Sequence, residues 1–232
     1  MKWENSIVKN FKWGSEIKNK AEKEIVAAKI ATYVQNGQTI GVGSGSTVFV
    51  SLTHIAEKVS DKNLDIKVIP TSFEIELACA ALGLRITTLK QDKPDWYFDG
   101  ADEVDPQNNL IKGRGGAMFR EKLMLVSSTK NYIIIDKSKI VQKLGINFPV
   151  PVEIYPDAIN YVRNQLISLG ANEIELRMAL KKDGPIITET GNFILDVRFR
   201  EIQKTLEKEL KSITGIIETG LFQGYDVTIV EP

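Results

Sequence analysis

The densest run of ionisable residues in this 232-residue chain is Asp99-Gly100-Ala101-Asp102-Glu103-Val104-Asp105, followed by Lys112-Gly113-Arg114-Gly115-Gly116 and Arg120-Glu121-Lys122. Carboxylates beside cations hold pKa values apart, as proton transfer requires. Trp96-Tyr97-Phe98 carries the first carboxylate straight out of an apolar strand, and the glycines between the cations let backbone approach a ligand. A merely solvated charge run needs neither feature. Upstream, Gly41-Val42-Gly43-Ser44-Gly45-Ser46-Thr47 joins a strand to a helix through a glycine turn. Free N–H groups and the positive end of a helix favour a phosphate there, and Ser44, Ser46 and Thr47 add hydroxyls. Val48 stands where a dinucleotide turn has its third glycine, and no lysine precedes Ser46 as in nucleotide hydrolases. A sugar phosphate or mononucleotide suits this turn better; taken alone, it also fits a tight crossover with no ligand.

The scaffold that must position these groups is ordinary. Apolar residues make up 43% and charged residues 26%, near the averages of globular proteins. The length exceeds the roughly 100 to 200 residues of one domain and predicts one domain with a smaller companion. Thirty Lys and Arg balance thirty Asp and Glu, so no bulk positive field exists to hold nucleic acid or an anionic membrane. The single cysteine, Cys79, and single histidine, His54, allow no internal disulfide and no zinc site of their own. A cytoplasmic protein without metal is expected. No apolar run approaches the roughly 18 residues of a membrane span, and residues 1–14 carry charges where a secretion signal is apolar. Trp3, Ile7 and Phe11 share one face of a short helix that docks on the body or on another subunit. Cys79 reads as packing, and His54 as a boundary residue.

Periodicity predicts a helix over 15–36, inward at Ile17, Ala21, Ile25 and Ala28, then a strand at 38–42. The helix after the glycine turn faces inward at Val48, Leu52, Ile55 and Val59. A strand at 66–69 precedes a helix over 72–82 that Thr71 and Glu74 open as a capping box and Gly83 ends. Strands at 85–89, 96–99 and 132–136 follow, with a helix over 118–128 between the last two. Strands alternating with helices predict a Rossmann-like, largely parallel sheet. Beyond Phe148-Pro149 the order becomes strand, helix, strand, strand, helix, strand, the ferredoxin-like α+β arrangement. Its two middle strands alternate at Ile174, Leu176, Met178 and Leu180 and at Phe193, Leu195 and Val197 around an Asp183-Gly184 turn. The final strand, 225–230, is free to return to the first sheet. The expected division is therefore 1–147 with 221–232 as an α/β catalytic domain, and 148–220 as an inserted domain.

The glycine turn, Asp99-Gly100-Ala101-Asp102-Glu103 and Lys112-Gly113-Arg114-Gly115-Gly116-Ala117, in this order, resemble ribose-5-phosphate isomerase of the A type. Arg120-Glu121-Lys122, Asp136-Lys137-Ser138-Lys139 and Thr188-Glu189-Thr190-Gly191-Asn192 resemble further segments of the family, and the likeness runs from Ile17 to Val230. It implies interconversion of ribose 5-phosphate and ribulose 5-phosphate in the non-oxidative pentose phosphate pathway, without metal or organic cofactor, by a homodimer or homotetramer. Glu121 matches the general base that moves a proton between C2 and C1 through a cis-enediolate. Lys112 and the N–H groups through Gly115 match the group that steadies the oxyanion, which charge development at the carbonyl oxygen demands. Asp99, and secondarily Asp102, match the relay that opens the sugar ring. Ser44, Gly45, Ser46 and Thr47 match the phosphate turn, and Gly100, Ala101, Gly113, Arg114 and Lys139 complete the substrate-binding set.

This chain departs from the common pattern at Ser44, where threonine is usual, and at Arg114, where glycine is usual. Arg114 either points outward or adds a cation near the substrate. Glu103 reads as structural. A coenzyme A transferase shares the turn and sheet but needs a larger acyl-carrier site. A sugar-phosphate sensor needs no carboxylate beside Lys112 and usually carries a basic helix pair, which is not evident here.

Overall fold

The structure, a computed structural model, describes residues 5–232. From the amino end come α1 (Ser6–Lys9), α2 (Lys20–Thr32), β1 (Thr39–Val42), α3 (Ser46–Asp61), β2 (Lys67–Pro70) and α4 (Phe73–Ala81). Next are β3 (Arg85–Ile86), β4 (Trp96–Asp99), β5 (Glu103–Val104), β6 (Leu110–Ile111), α5 (Met118–Ser127) and β7 (Asn131–Ile134). The chain closes with β8 (Val150–Ile154), α6 (Ile159–Ser168), β9 (Ala171–Leu176), β10 (Phe193–Phe199), α7 (Leu206–Lys211), β11 (Ile216–Thr219), β12 (Leu221–Phe222) and β13 (Thr228–Val230). Two compact units result. One runs through Gly100 and takes in Leu123–Ser138 and Asp226–Pro232; the other comprises Ala101–Lys122 and Lys139–Tyr225.

In the first unit six strands form a wholly parallel sheet, ordered β13-β7-β4-β1-β2-β3. Its central strands are largely apolar, and β1 and β4 are buried at every position, as strands covered on both faces must be. The predicted inward face of α3 is buried at Val48, Leu52 and Ile55, with Val59 packed at the margin of the same core. For α2 the expectation is overturned. Ile25 is 49% exposed, and the buried residues are Lys23, Val26, Ala27, Ile30 and Ala31. Two apolar series interleave in this helix, and a lysine disguises the one that is buried. The helix also begins later than predicted, because Asn19 adopts a left-handed conformation (φ 52°) and donates its side-chain amide to Asp136 instead of capping.

Thr71 does not open a capping box either. Ser72 is the N-cap of α4, without a side-chain capping bond, while the Thr71 hydroxyl meets Ser44. Of the predicted amino-terminal face, Trp3 lies outside the described residues, Ile7 is 88% exposed and Phe11 packs against the core.

The second unit holds an antiparallel sheet ordered β11-β8-β10-β9. With α6 after β8 and α7 after β10, this is the ferredoxin-like order. Val162 and Leu166 of α6 and Leu206 and Leu210 of α7 are buried in its core. The predicted alternation fails beyond Leu176, where Met178 is 57% exposed and Leu180 fully so. There the chain leaves the sheet for a hairpin closed by Ala179 N–H to Gly184 and Ile186 N–H to Arg177. A second, three-stranded sheet, β12-β6-β5, pairs Leu221 and Phe222 with Ile111 and Leu110. The segment 148–220 thus lies within a unit that is wider than the predicted insert, because β5 and β6 belong with it.

Candidate active site

In the first unit β2 and β3 follow β1 on one side, whereas β7 and β13 follow β4 on the other. Strand order therefore reverses between β1 and β4, and ligands of open parallel sheets collect at the carboxyl ends of such a pair. The glycine turn stands at the end of β1 and Asp99 at the end of β4. Gly43 N–H donates to the Phe98 carbonyl at 2.8 Å, and Ser44 N–H to Asp99 Oδ1 at 3.0 Å. Only glycine fits at 43, since a Cβ there would stand 2.0 Å from Asp99 Cγ. Gly100 N–H and the Tyr97 hydroxyl also donate to Asp99, which is wholly buried. These donors hold a buried carboxylate that solvent does not reach.

Gly45, with φ +98°, is the N-cap of α3, so Ser46 and Thr47 supply its first N–H groups. Ser44 to Thr47 are partly exposed, and the Ser44 hydroxyl lies 2.9 Å from that of Thr71. The buried lysine of α2 comes to this turn: Lys23 Nζ is 3.0 Å from Ser46 Oγ and 3.8 Å from Asp136 Oδ2. Burial pushes the Asp136 carboxyl up. Hydrogen bonds from Ser138 and Asn19 and the Lys23 charge outweigh that and hold it below its ordinary value.

In the second unit Lys112 leaves β6 with its N–H donated to the Gly220 carbonyl at 2.8 Å. Glu121 sits in the first turn of α5. Lys112 Nζ and Glu121 Oε2 are 3.4 Å apart, with only 3% and 5% of the two side chains exposed. Asp102 donates its N–H to Ile111 and accepts from Arg114 N–H at 3.3 Å. Burial pushes its carboxyl up against the pull of Lys112, Lys139 and Arg114. Arg114 is exposed, and Gly113, at φ +98°, makes the turn between it and Lys112. Arg177 holds this loop by donating to the carbonyls of Gly113 and Arg114, each at 2.9 Å, while its guanidinium pairs with Asp196. Lys139 ends a 3-10 turn with Nζ 5.3 Å from the Phe148 ring centroid. Gly115 is exposed, and Gly100 and Ala101 partly so. Glu103 is wholly buried and accepts the N–H groups of Gly145, Asn147 and Phe148, a structural anchor.

Four residues of these clusters have no site role in the sequence analysis: Lys23, Thr71, Tyr97 and Arg177. Tyr97 was within reach, because residues two apart on a strand share a face and Asp99 is its neighbour by that rule. Lys23 had a signal too, a lysine spaced with Val26, Ala27 and Ile30. Nothing local marks Arg177, whose two carbonyl partners are 63 and 64 residues away.

A family model described as Ribose 5-phosphate isomerase A (phosphoriboisomerase A) matches residues 67–231. Ribose-5-phosphate isomerase A of Thermosynechococcus vestitus is 44% identical over 207 residues, covering 88% of this chain and 87% of that protein. The structure of ribose 5-phosphate isomerase A from Methanocaldococcus jannaschii superposes with a TM-score of 0.88 at 35% identity, over 92% of this chain and 96% of that one. A D-ribose-5-phosphate isomerase solved in complex with phospho-erythronic acid gives 0.87 at 35% identity, with the same shares covered. Among the described residues no helix is long and apolar enough to cross a membrane. The chain belongs to the ribose 5-phosphate isomerase A family.

Proposed function

We propose that this protein interconverts D-ribose 5-phosphate and D-ribulose 5-phosphate by moving one proton between C2 and C1. The buried Lys112–Glu121 pair carries the reading. Glu121 takes the C2 proton of the open-chain aldose, and the C1 carbonyl oxygen gains the negative charge. As Glu121 becomes neutral, the Lys112 ammonium is left to balance that oxyanion, so charge in the buried site is conserved from reactant to enediolate. Fixed cations aimed at developing charge are the largest common source of rate enhancement. Return of the proton to C1 and transfer of a hydroxyl proton give the ketose.

Ser44 to Thr47 and Lys23 take the phosphate, whose chemistry suits a helix start flanked by hydroxyls and one ammonium. Asp99 assists ring opening. Asp102, whose carboxyl burial favours in the protonated form, serves as the secondary relay. Gly100, Ala101, Gly113, Arg114, Gly115 and Lys139 complete the substrate contacts. The relative solved with phospho-erythronic acid, a four-carbon sugar-acid phosphate, supports a sugar phosphate as ligand. We place the protein in the cytoplasm, as a homodimer or homotetramer. Supplying ribose 5-phosphate in the presence of a chelator tests the function: ribulose 5-phosphate should accumulate to equilibrium, and its failure to appear would refute the assignment.

A further inference from the structure

Lys122 follows Glu121 on α5, and its ammonium is enclosed in the second unit. Nζ lies 2.7 Å from Glu207 Oε1, 3.0 Å from Glu218 Oε1, 2.9 Å from the Thr219 carbonyl and 2.8 Å from that of Leu221. It also stands 4.5 Å from the centre of the Phe222 ring. Lys211 meets the other oxygen of Glu218 at 3.0 Å, so two cations balance two carboxylates.

The carbonyls that Lys122 holds flank Gly220, and Gly220 is the residue on which Lys112 rests. Its carbonyl accepts the Lys112 N–H, its own N–H donates to Pro151 at 2.7 Å, and a Cβ on it would stand 2.0 Å from the Lys112 carbonyl oxygen. Leu221 and Phe222 pair with Ile111 and Leu110, the residues just before Lys112. The Phe222 ring is shared, with Lys112 Nζ 5.9 Å from its centre. One ammonium therefore ties the helix turn that bears Glu121 to the strand that seats Lys112. Apolar side chains would fill the same space without desolvating Lys122, Glu207 and Glu218, but they would not direct it.

We infer that Lys122, with Glu207 and Glu218, is a positioning residue for the isomerisation, setting the spacing of Lys112 and Glu121 without touching substrate. This rests on the assignment of that pair to proton transfer. The test compares Lys122→Met and Lys122→Met/Glu207→Gln/Glu218→Gln with wild type, by thermal melting and by steady-state kinetics on ribose 5-phosphate below each melting temperature. The single variant leaves Glu207 without a cation and Glu218 with Lys211 alone, and loses stability; the triple variant removes both carboxylates and recovers part of it. Because misplacement of about 1 Å costs about 100-fold, kcat should fall about 30- to 100-fold in both, with KM within about threefold of wild type. A kcat within about threefold of wild type in either folded variant would overturn the inference, as would recovery of rate together with stability in the triple variant. If Lys122→Met does not fold, the triple variant decides. Wild type and Glu121→Gln, run alongside, separate the two readings. An inactive wild type sinks the proposed function, whereas an active wild type, an inactive Glu121→Gln and a normal Lys122→Met sink only the positioning role.

Discussion

Lys112 Nζ lies 3.4 Å from Glu121 Oε2, on residues nine apart in sequence and both almost wholly out of solvent. Under the proposed function the carboxylate serves as the base, with the ammonium already beside it. Replacing Glu121 by Gln keeps the shape and removes the base. Its kcat should fall by about 10² to 10⁴, the usual contribution of a positioned base, with the circular dichroism spectrum unchanged.

Gly43 touches Asp99 so closely that Gly43→Ala has no room for its methyl group. The displaced carboxylate loses the Ser44 N–H, and overpacking of this kind costs about 1 to 3 kcal/mol. We expect a lower melting temperature together with a loss of turnover larger than the stability change explains, measured below the transition.

Lys23→Met tests the phosphate end. A charge-assisted hydrogen bond is worth about 1.5 to 3 kcal/mol, so KM for ribose 5-phosphate should rise about 10- to 100-fold with a smaller change in kcat. Inorganic phosphate, as a competitive inhibitor, should weaken in parallel. An unaltered phosphate inhibition constant would place Lys23 outside the binding of that group.

The Asp136 carboxyl has a folded-state pKa below its unfolded one, so it adds stability that is fully present above the unfolded value, about 3.9, and lost as pH falls through the folded value. Asp136→Asn removes that dependence. Urea midpoints at pH 7 and pH 3 should differ less in the variant than in wild type.

Cys79 is wholly buried on α4, and burial pushes its thiol up to about 12. The thiolate is the reactive form, so a disulfide reagent at neutral pH should label native protein far more slowly than protein unfolded in urea. Fast native labelling would show that the helix opens.

Where one local rule governs, the elements were readable in advance. The strand Trp96–Asp99 and the start of α5 at Met118 fall where apolar runs and turn residues put them. The register of α2 is not legible locally, because a buried lysine looks like a surface residue until Ser46 and Asp136 are seen to satisfy it. Met178 and Leu180 alternate as strand residues do, yet Arg177 turns away to two carbonyls that no local pattern announces.

The chain alone determined the family motifs, the alternation of strands and helices, and the residue types able to bind phosphate and move a proton. Those follow from short-range sterics, periodicity and side-chain chemistry, which each segment carries with it. Tertiary structure decided what each charge meets: Lys23 the Ser46 hydroxyl, Lys112 Glu121, and Lys122 both Glu207 and Glu218, up to 96 residues apart. A charge is tolerable in the interior only beside its partner, and folding alone settles where that partner stands.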